Sequence, residues 1–166
     1  MAEDVRSRGS ARRLAFGTPT GFVALGLGSG LAPVAPGTAG SLAALPLAWP
    51  LMQLAPLEFW ILWVVFFALG VWCCSVVARR LGSEDPGAIV WDEMVALWAV
   101  LVFVPLQWGW WLAAFALFRL FDIVKPWPIR ILEHRFREGL GIMIDDVVAA
   151  LYALALLIPA RLWFVS

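Results

Sequence analysis

Long apolar blocks alternate with short polar or proline-containing segments along most of the chain. The clearest block covers residues 59–78, and three others cover 89–106, 108–124 and 147–165. About 20 apolar residues in a helix cross the hydrocarbon core of a bilayer, so each block predicts a membrane span. The pattern therefore predicts an all-α fold, a polytopic membrane helical bundle with four or five apolar spans.

The N-terminal third is less regular. Residues 22–36 are rich in glycine, and residues 41–55 contain Pro46 and Pro50. Together these stretches predict a broken or re-entrant element rather than a straight helix. Residues 1–18 are polar and basic, and they predict a mobile cytoplasmic tail ahead of a single membrane-embedded domain at 19–166.

The composition agrees with a membrane protein. Hydrophobic residues make up 63% of the chain and charged residues 14%, whereas soluble domains contain about half apolar and a quarter charged residues. The net charge of zero gives no indication of a nucleic-acid partner. The adjacent Cys73 and Cys74 suit neither a disulfide with each other nor, with a single histidine, a zinc site, so we expect them to be packing residues.

Basic residues occupy alternate connecting segments, and the segments between them, near 56–58 and 107–109, contain none. The positive-inside rule therefore places the basic segments on the cytoplasmic side. These basic residues are Arg6, Arg8, Arg12, Arg13, Arg79, Arg80, Lys125, Arg130, Arg135 and Arg137.

Five acidic residues fall where the predicted spans meet that same side of the membrane. They are Asp92, Glu93, Asp122, Asp145 and Asp146. A helix dipole favours an acid at a helix start by ~0.3–1 kcal/mol, but it disfavours Asp122 at a helix end. Pairing of Arg119 with Asp122 at i,i+3 contributes only ~0.2–0.5 kcal/mol. Because ionisable groups in membrane segments are costly and usually functional, the five acids predict a functional cluster.

The donor atoms of this cluster suggest its ligands. Crowded carboxylates repel one another, and a bound cation removes that penalty. Oxygen ligands without His or Cys favour a hard ion such as Mg²⁺, Mn²⁺ or Ca²⁺. Arg119, Lys125 and Arg130 stand nearby in the sequence. Acids, a divalent metal and nearby cations together suit a phosphate ester.

The glycine-rich stretch 28–46 has two interpretations. Backbone amides followed by Thr38 and Ser41 at a helix start could form an anion cradle. Small residues also permit close helix packing in membranes. The sequence leaves both interpretations open.

Four blocks, "GLGSGLAPVAPGTAGSLAALP", "IVWDEMVALW", "FRLFDIVKPWPIR" and "GLGIMIDDVVAA", resemble the signature blocks of the bacterial phosphatidylglycerophosphatase A family over residues 22–152. The resemblance implies a Mg²⁺-dependent lipid phosphatase of the inner membrane, with its site on the cytoplasmic face. Its lipid substrate would be phosphatidylglycerophosphate, and its products phosphatidylglycerol and inorganic phosphate.

The resemblance also implies roles for individual residues. The metal-binding and catalytic acids would be Asp92, Glu93, Asp122, Asp145 and Asp146, with Lys125 as a further catalytic residue. The phosphate would face Thr38, Ser41, Lys125 and Arg130. One or two Mg²⁺ ions would assist attack on the phosphate by water or by an aspartate, and the sequence leaves that choice open.

A small cation transporter or channel is the alternative function, because intramembrane acids are common in such proteins. The acids here crowd one face, and the outer halves of the spans, such as "LYALALLIP", are almost wholly apolar. A structural scaffold would have no evident use for the five acids. We therefore expect an enzyme.

Overall fold

The computed structural model describes residues 2–83, 86–127 and 138–164, with side chains from residue 9 onward. All regular structure in these residues is helical, which confirms the all-α prediction. The elements are α1 (Ala2–Gly17), α2 (Pro19–Ala24), a 3₁₀ segment (Gly26–Leu31), α3 (Pro36–Leu51), α4 (Pro56–Leu81), α5 (Trp91–Leu101), α6 (Trp108–Val124) and α7 (Glu138–Phe164).

The prediction of four or five spans is too high. Within the described ranges, only α4 and α7 are long and apolar enough to cross a membrane, with mean hydropathies of 2.5 and 2.1. The helices α3, α5 and α6 contain 16, 11 and 17 residues. At ~1.5 Å per residue they measure about 24, 16 and 25 Å, and each is shorter than the ~30 Å hydrocarbon core.

Helix α5 shows why hydropathy overestimated the number of spans. Every residue of α5 except Glu93 is buried within the protein. Non-helical backbone precedes it at 86–90 and a turn follows at 102–104, so the helix is much shorter than the apolar block 89–106. The apolar residues of this block form the core of the bundle, which requires the same composition as a lipid-exposed helix.

Helix α7 lies at the centre of the bundle, where it contacts α4, α5 and α6. The side chain of Ser75 on α4 accepts a hydrogen bond from the amide of Gly139 on α7 at 3.0 Å. The C-terminal part of α4 therefore lies beside the beginning of α7. Ser41 near the beginning of α3 likewise contacts Glu93 near the beginning of α5. Helices α3, α5 and α7 thus begin at one end of the bundle.

Three tryptophan side chains link neighbouring helices by hydrogen bonds to backbone carbonyl groups. The indole N–H of Trp63 on α4 donates to the carbonyl of Val95 on α5 at 2.9 Å. Trp91 and Trp98 on α5 donate to carbonyls of neighbouring helices: Phe66 at 3.1 Å and Ala44 at 3.0 Å, respectively. Because buried indole N–H groups need a partner, these bonds fix how the helices align.

The glycine-rich region packs against the segment that leads into α5. A Cβ atom at Gly30 would collide with the main-chain oxygen of Ala88, and one at Gly40 would collide with the side chain of Val90. The amide of Val90 donates to the carbonyl of Ala24 at 3.0 Å. This arrangement agrees with the close-packing interpretation of the glycines.

The N-terminal residues that the structure describes form a helix. Residues 2–17 form α1, and Ala11 and Ala15 on it are 4% and 1% exposed. Two alanines one helical turn apart present a small surface, which allows α1 to lie close to α2 and the 3₁₀ segment. The polar composition of this stretch concealed that small apolar face.

Candidate active site

A cavity of about 130 Å³ lies between the first turn of α5, the last turn of α6 and the N-terminal part of α7. All five predicted acids and Lys125 line it. The lining residues are Gly87, Ile89, Asp92, Glu93, Asp122, Lys125, Ile142, Asp145 and Asp146. The sequence therefore predicted correctly that three separate helix segments bring these acids together.

The two acidic pairs occupy different positions on their helices. Asp92 and Glu93 lie in the first turn of α5, where the helix dipole favours a negative charge. Asp145 and Asp146 lie about two turns inside α7, which begins at Glu138. The dipole effect falls off within the first turn, so a helix start does not explain the second pair.

Arg119 joins two of the acids. Its Nη1 atom lies 2.7 Å from Oε1 of Glu93 and 2.6 Å from Oδ2 of Asp122, and its side chain is 13% exposed. The sequence indicated only the local pairing with Asp122. The contact with Glu93 connects α6 to α5. The sequence gives no direct indication of this contact beyond the presence of Arg119 one turn before Asp122.

Lys125 supplies the second cation. It caps the C-terminus of α6 in a left-handed conformation with φ of 44°, which directs the chain away from the helix axis. Its Nζ atom lies 3.6 Å from Oδ2 of Asp145. The Coulomb energy of a single partly exposed pair at this distance is modest. Among the described residues, the five carboxylates of the site outnumber the two cations that pair with them, Arg119 and Lys125.

The predicted phosphate-binding residues on α3 lie outside the cavity, on the side of Glu93. Ser41 is fully buried, and its hydroxyl donates to Oε2 of Glu93 at 3.5 Å. Thr38 is half-buried one turn earlier. Neither residue lines the cavity. A Cβ atom at Gly37 would collide with the Glu93 carboxylate, so the first turn of α3 supports Glu93 from behind. Arg130, the remaining predicted phosphate ligand, lies outside the described residues, as do Arg135 and Arg137.

The residues of the cavity fit a divalent metal in donor type and in charge. Asp92, Asp145 and Asp146 are 7%, 6% and 4% exposed. The Oδ2 atom of Asp146 makes no hydrogen bond within the described part of the chain. In their present conformations, no three acidic, histidine or cysteine side chains among the described residues converge on one point. A bound ion would therefore require rotation of these carboxylates toward the centre of the cavity.

The helical fold, the two helices of membrane-crossing length and the buried acidic cavity define a class: helical membrane proteins with a polar site at one end of the bundle. Comparison with known proteins gives the family. The profile of the family described as Phosphatidylglycerophosphatase A matches residues 22–161, and the chain belongs to that family. Family membership makes it a phosphoric monoester hydrolase.

Individual relatives agree with this assignment. A phosphatidylglycerophosphatase A of Escherichia coli strain K12 is 43% identical over 147 residues, covering 87% of this chain and 85% of the relative. A phosphatidylglycerophosphatase A of Haemophilus influenzae is 43% identical over 154 residues, covering 92% and 94%. A Bacteroides thetaiotaomicron protein named as a candidate phosphatidylinositol-3-phosphatase is also 43% identical, covering 87% and 94%. No solved structure matches the chain.

Proposed function

We propose that this protein is a Mg²⁺-dependent phosphatase that hydrolyses phosphatidylglycerophosphate to phosphatidylglycerol and inorganic phosphate. The observation that carries the proposal is the family match over residues 22–161, which includes every acid of the cavity. The names of the Escherichia coli and Haemophilus influenzae relatives support this substrate.

The protein is proposed to cross the bacterial inner membrane through α4 and α7, with the acidic cavity on the cytoplasmic side. Arg79 and Arg80 lie in the last turn of α4, at the end of the bundle where α7 begins. The positive-inside rule assigns that end to the cytoplasm. Arg161 lies at the other end, where it donates to the carbonyl of Phe103 at 2.7 Å.

The chain's own residues would bind and orient the phosphate. Asp92, Asp145 and Asp146 would hold Mg²⁺, with Glu93 and Asp122 in support. Bound Mg²⁺ supplies positive charge that offsets the phosphate oxygens and favours attack at phosphorus. Lys125, already at the rim of the cavity, would donate to a phosphate oxygen and stabilise the charge that develops in the transition state.

Hydrolysis breaks the bond between phosphorus and the glycerol oxygen. Water supplies the hydroxyl that remains on phosphate, and the departing glycerol oxygen takes a proton. A cavity aspartate would either accept the proton of the attacking water or attack phosphorus itself and be released by water in a second step. Arg119 touches Glu93 and Asp122 rather than the cavity, so it is a positioning residue.

The transporter alternative has no support in the structure. The buried polar side chains in the described residues are Ser41, Asp92, Asp145 and Asp146, and all four lie at one end of the bundle. Beyond them, α5 is entirely apolar from Met94 to Leu101. A cation would therefore meet no polar path along the core of the bundle.

The test is an assay of phosphate release from phosphatidylglycerophosphate by the purified protein in detergent. We expect release in Mg²⁺, loss of release in EDTA and recovery when excess Mg²⁺ is added. Absence of release in Mg²⁺ would contradict the proposed function. Release that persists in EDTA would contradict only the metal requirement. Phosphatidylinositol 3-phosphate, assayed in parallel, tests the substrate, because faster release from it would reassign the headgroup.

A further inference from the structure

Lys125, the only lysine in the chain, has an unusual backbone conformation at the rim of the acidic cavity. Its φ of 44° lies in the left-handed region, which residues with a side chain adopt rarely. Pro126 follows it, and a proline ring further restricts the backbone of the preceding residue. A residue keeps such a conformation only where its surroundings fix it. Contacts of the neighbouring residues therefore determine where the Lys125 side chain begins.

Tyr152 on α7 supplies two of these contacts. Its hydroxyl donates a hydrogen bond to the carbonyl of Trp127, two residues after Lys125, at 2.6 Å. Its ring packs against Phe121, one turn before Lys125, with the ring centroids 5.4 Å apart. The carbonyl of Phe121 also accepts the amide of Lys125 at 2.9 Å. Tyr152 therefore contacts the chain on both sides of Lys125.

The hydrogen bond matters more than the ring contact for the segment that follows α6. The indole of Trp127 is 77% exposed, so packing of that side chain does little to fix the segment. A hydrogen bond from a phenol to a carbonyl sets both a distance and a direction, whereas aromatic packing allows a range of offsets. The Tyr152 hydroxyl therefore ties the backbone beyond Lys125 to α7.

Helix α7 also carries the carboxylate that Lys125 contacts. Tyr152 follows Asp145 by seven residues, which is about two helical turns and places both residues on the same face of the helix. Side chains of a helix lean toward its N-terminus, so the Tyr152 ring extends toward the end of α7 that bears Asp145. The Nζ atom of Lys125 lies 3.6 Å from Oδ2 of Asp145. One helix thus fixes both the backbone around Lys125 and the partner of its ammonium.

We propose that Tyr152 is a positioning residue that holds Lys125 at the acidic cavity through its hydrogen bond to the Trp127 carbonyl. This inference rests on the proposed function, in which Lys125 donates to a phosphate oxygen. A lysine ammonium is carried on a flexible stem, so a fixed backbone limits where the ammonium can lie. A displacement of about 1 Å in a catalytic group can lower a rate ~100-fold. Tyr152 is not among the described residues that line the cavity, so it acts through Lys125.

The first test removes the hydroxyl and keeps the ring. We expect Tyr152→Phe to lower kcat for phosphatidylglycerophosphate by about three- to tenfold, as loss of one hydrogen bond allows, with less than about twofold change in KM. Gln53→Met is the matched control. Gln53 also donates to a carbonyl, that of Trp49 at 3.2 Å, but it follows α3 at the end opposite to the acids. Gln53→Met should leave both constants unchanged.

Combination with Lys125→Met separates positioning from general stability. If Tyr152 acts through Lys125, Tyr152→Phe should lower kcat by less than about 1.5-fold in a protein that already lacks the ammonium. An unchanged kcat in Tyr152→Phe, or an equal loss with and without Lys125, would overturn the inference. Absence of phosphate release by the unsubstituted protein would instead overturn the proposed function.

A spectroscopic measurement tests the position of Lys125 without relying on activity. Protein produced with lysine labelled with ¹³C at Cε gives one lysine signal in detergent, because the chain contains one lysine. We expect Tyr152→Phe to narrow this signal and move it toward that of free lysine, because the side chain gains mobility. Gln53→Met should leave the signal in place. An identical signal in the unsubstituted protein and in Tyr152→Phe would overturn the inference.

Discussion

At the scale of single residues, Arg119 holds the acids of α5 and α6 at fixed positions. Its Nη1 atom contacts Glu93 and Asp122 at once. The guanidinium that carries this atom is planar and rigid, whereas a lysine ammonium is a point charge on a flexible stem. Removing one partner of a buried ion pair leaves an uncompensated charge, which destabilises proteins by ~3–5 kcal/mol. This contact is therefore expected to support both stability and activity.

Substitution of Arg119 tests that expectation. We predict that Arg119→Met lowers the thermal unfolding midpoint in detergent and reduces phosphate release, and that Arg119→Lys recovers only part of each. Arg79→Met is the control, because Arg79 is 61% exposed and pairs with Glu138 at 3.6 Å, and such surface pairs contribute little. Equal effects of Arg119→Met and Arg79→Met on stability would show that the buried contact is unimportant.

Substitution of Asp145 is expected to lower activity without lowering stability. We predict that Asp145→Asn lowers the rate of phosphate release by about a hundredfold or more, because it removes a charge that the proposed Mg²⁺ would require. The unfolding midpoint in EDTA should stay the same or rise, since one fewer carboxylate relieves repulsion in the cavity. Glu138→Gln on the same helix serves as the comparison and should retain activity. Near-normal turnover of Asp145→Asn would remove it from the metal site.

The residue types of the site could be predicted from the sequence, whereas their partners could not. Acids in apolar surroundings are conspicuous, and all five line one cavity. The contact of Arg119 with Glu93 depends on how α5 and α6 cross, which no local pattern encodes. Ser41 is an intermediate case: the family resemblance implied that it faces the phosphate, and the structure adds a contact of its hydroxyl with Glu93 at 3.5 Å.

At the scale of helices, the packing of the glycine-rich region determines where α5 begins. Gly30 leaves no space for a side chain beside the carbonyl of Ala88. We predict that Gly30→Ala displaces the segment before Asp92 and destabilises the protein by ~1–3 kcal/mol, the usual effect of overpacking. Phosphate release should fall with it. Gly109→Ala is the control, because no atom lies within 4 Å of its added methyl group. Unchanged thermal unfolding of Gly30→Ala would contradict this account.

The apolar blocks in the sequence predicted where helices form, but they did not predict how long each helix is. The block 108–124 coincides with α6, because Gln107 and Lys125 end the apolar run on both sides. The block 89–106 produced an 11-residue helix. Val90 before the helix makes a hydrogen bond to Ala24, and a turn follows Leu101. Hydropathy cannot distinguish a helix surrounded by protein from one surrounded by lipid, and α5 is the former.

At the scale of the whole molecule, the proposed orientation predicts which surfaces face each side of the membrane. We predict that Gly109→Cys reacts with an impermeant maleimide in sealed right-side-out vesicles, whereas Ser83→Cys reacts only after permeabilisation. Both sites lie at ends of helices, and Ser83 is exposed beside the basic end of α4. The native Cys73 and Cys74 are 1% and 0% exposed, so the unsubstituted protein should give little background. The reverse labelling pattern would invert the topology.

The indole-to-carbonyl bonds of Trp63, Trp91 and Trp98 have a consequence for how the enzyme meets its substrate. A slip of α5 by one turn would break all three bonds and leave buried N–H groups unsatisfied, at ~1–3 kcal/mol each. The carboxylates on α5 therefore occupy a preorganised frame before any lipid arrives. During catalysis, we therefore expect the lipid and the side chains to change conformation, while the helices do not slide past one another.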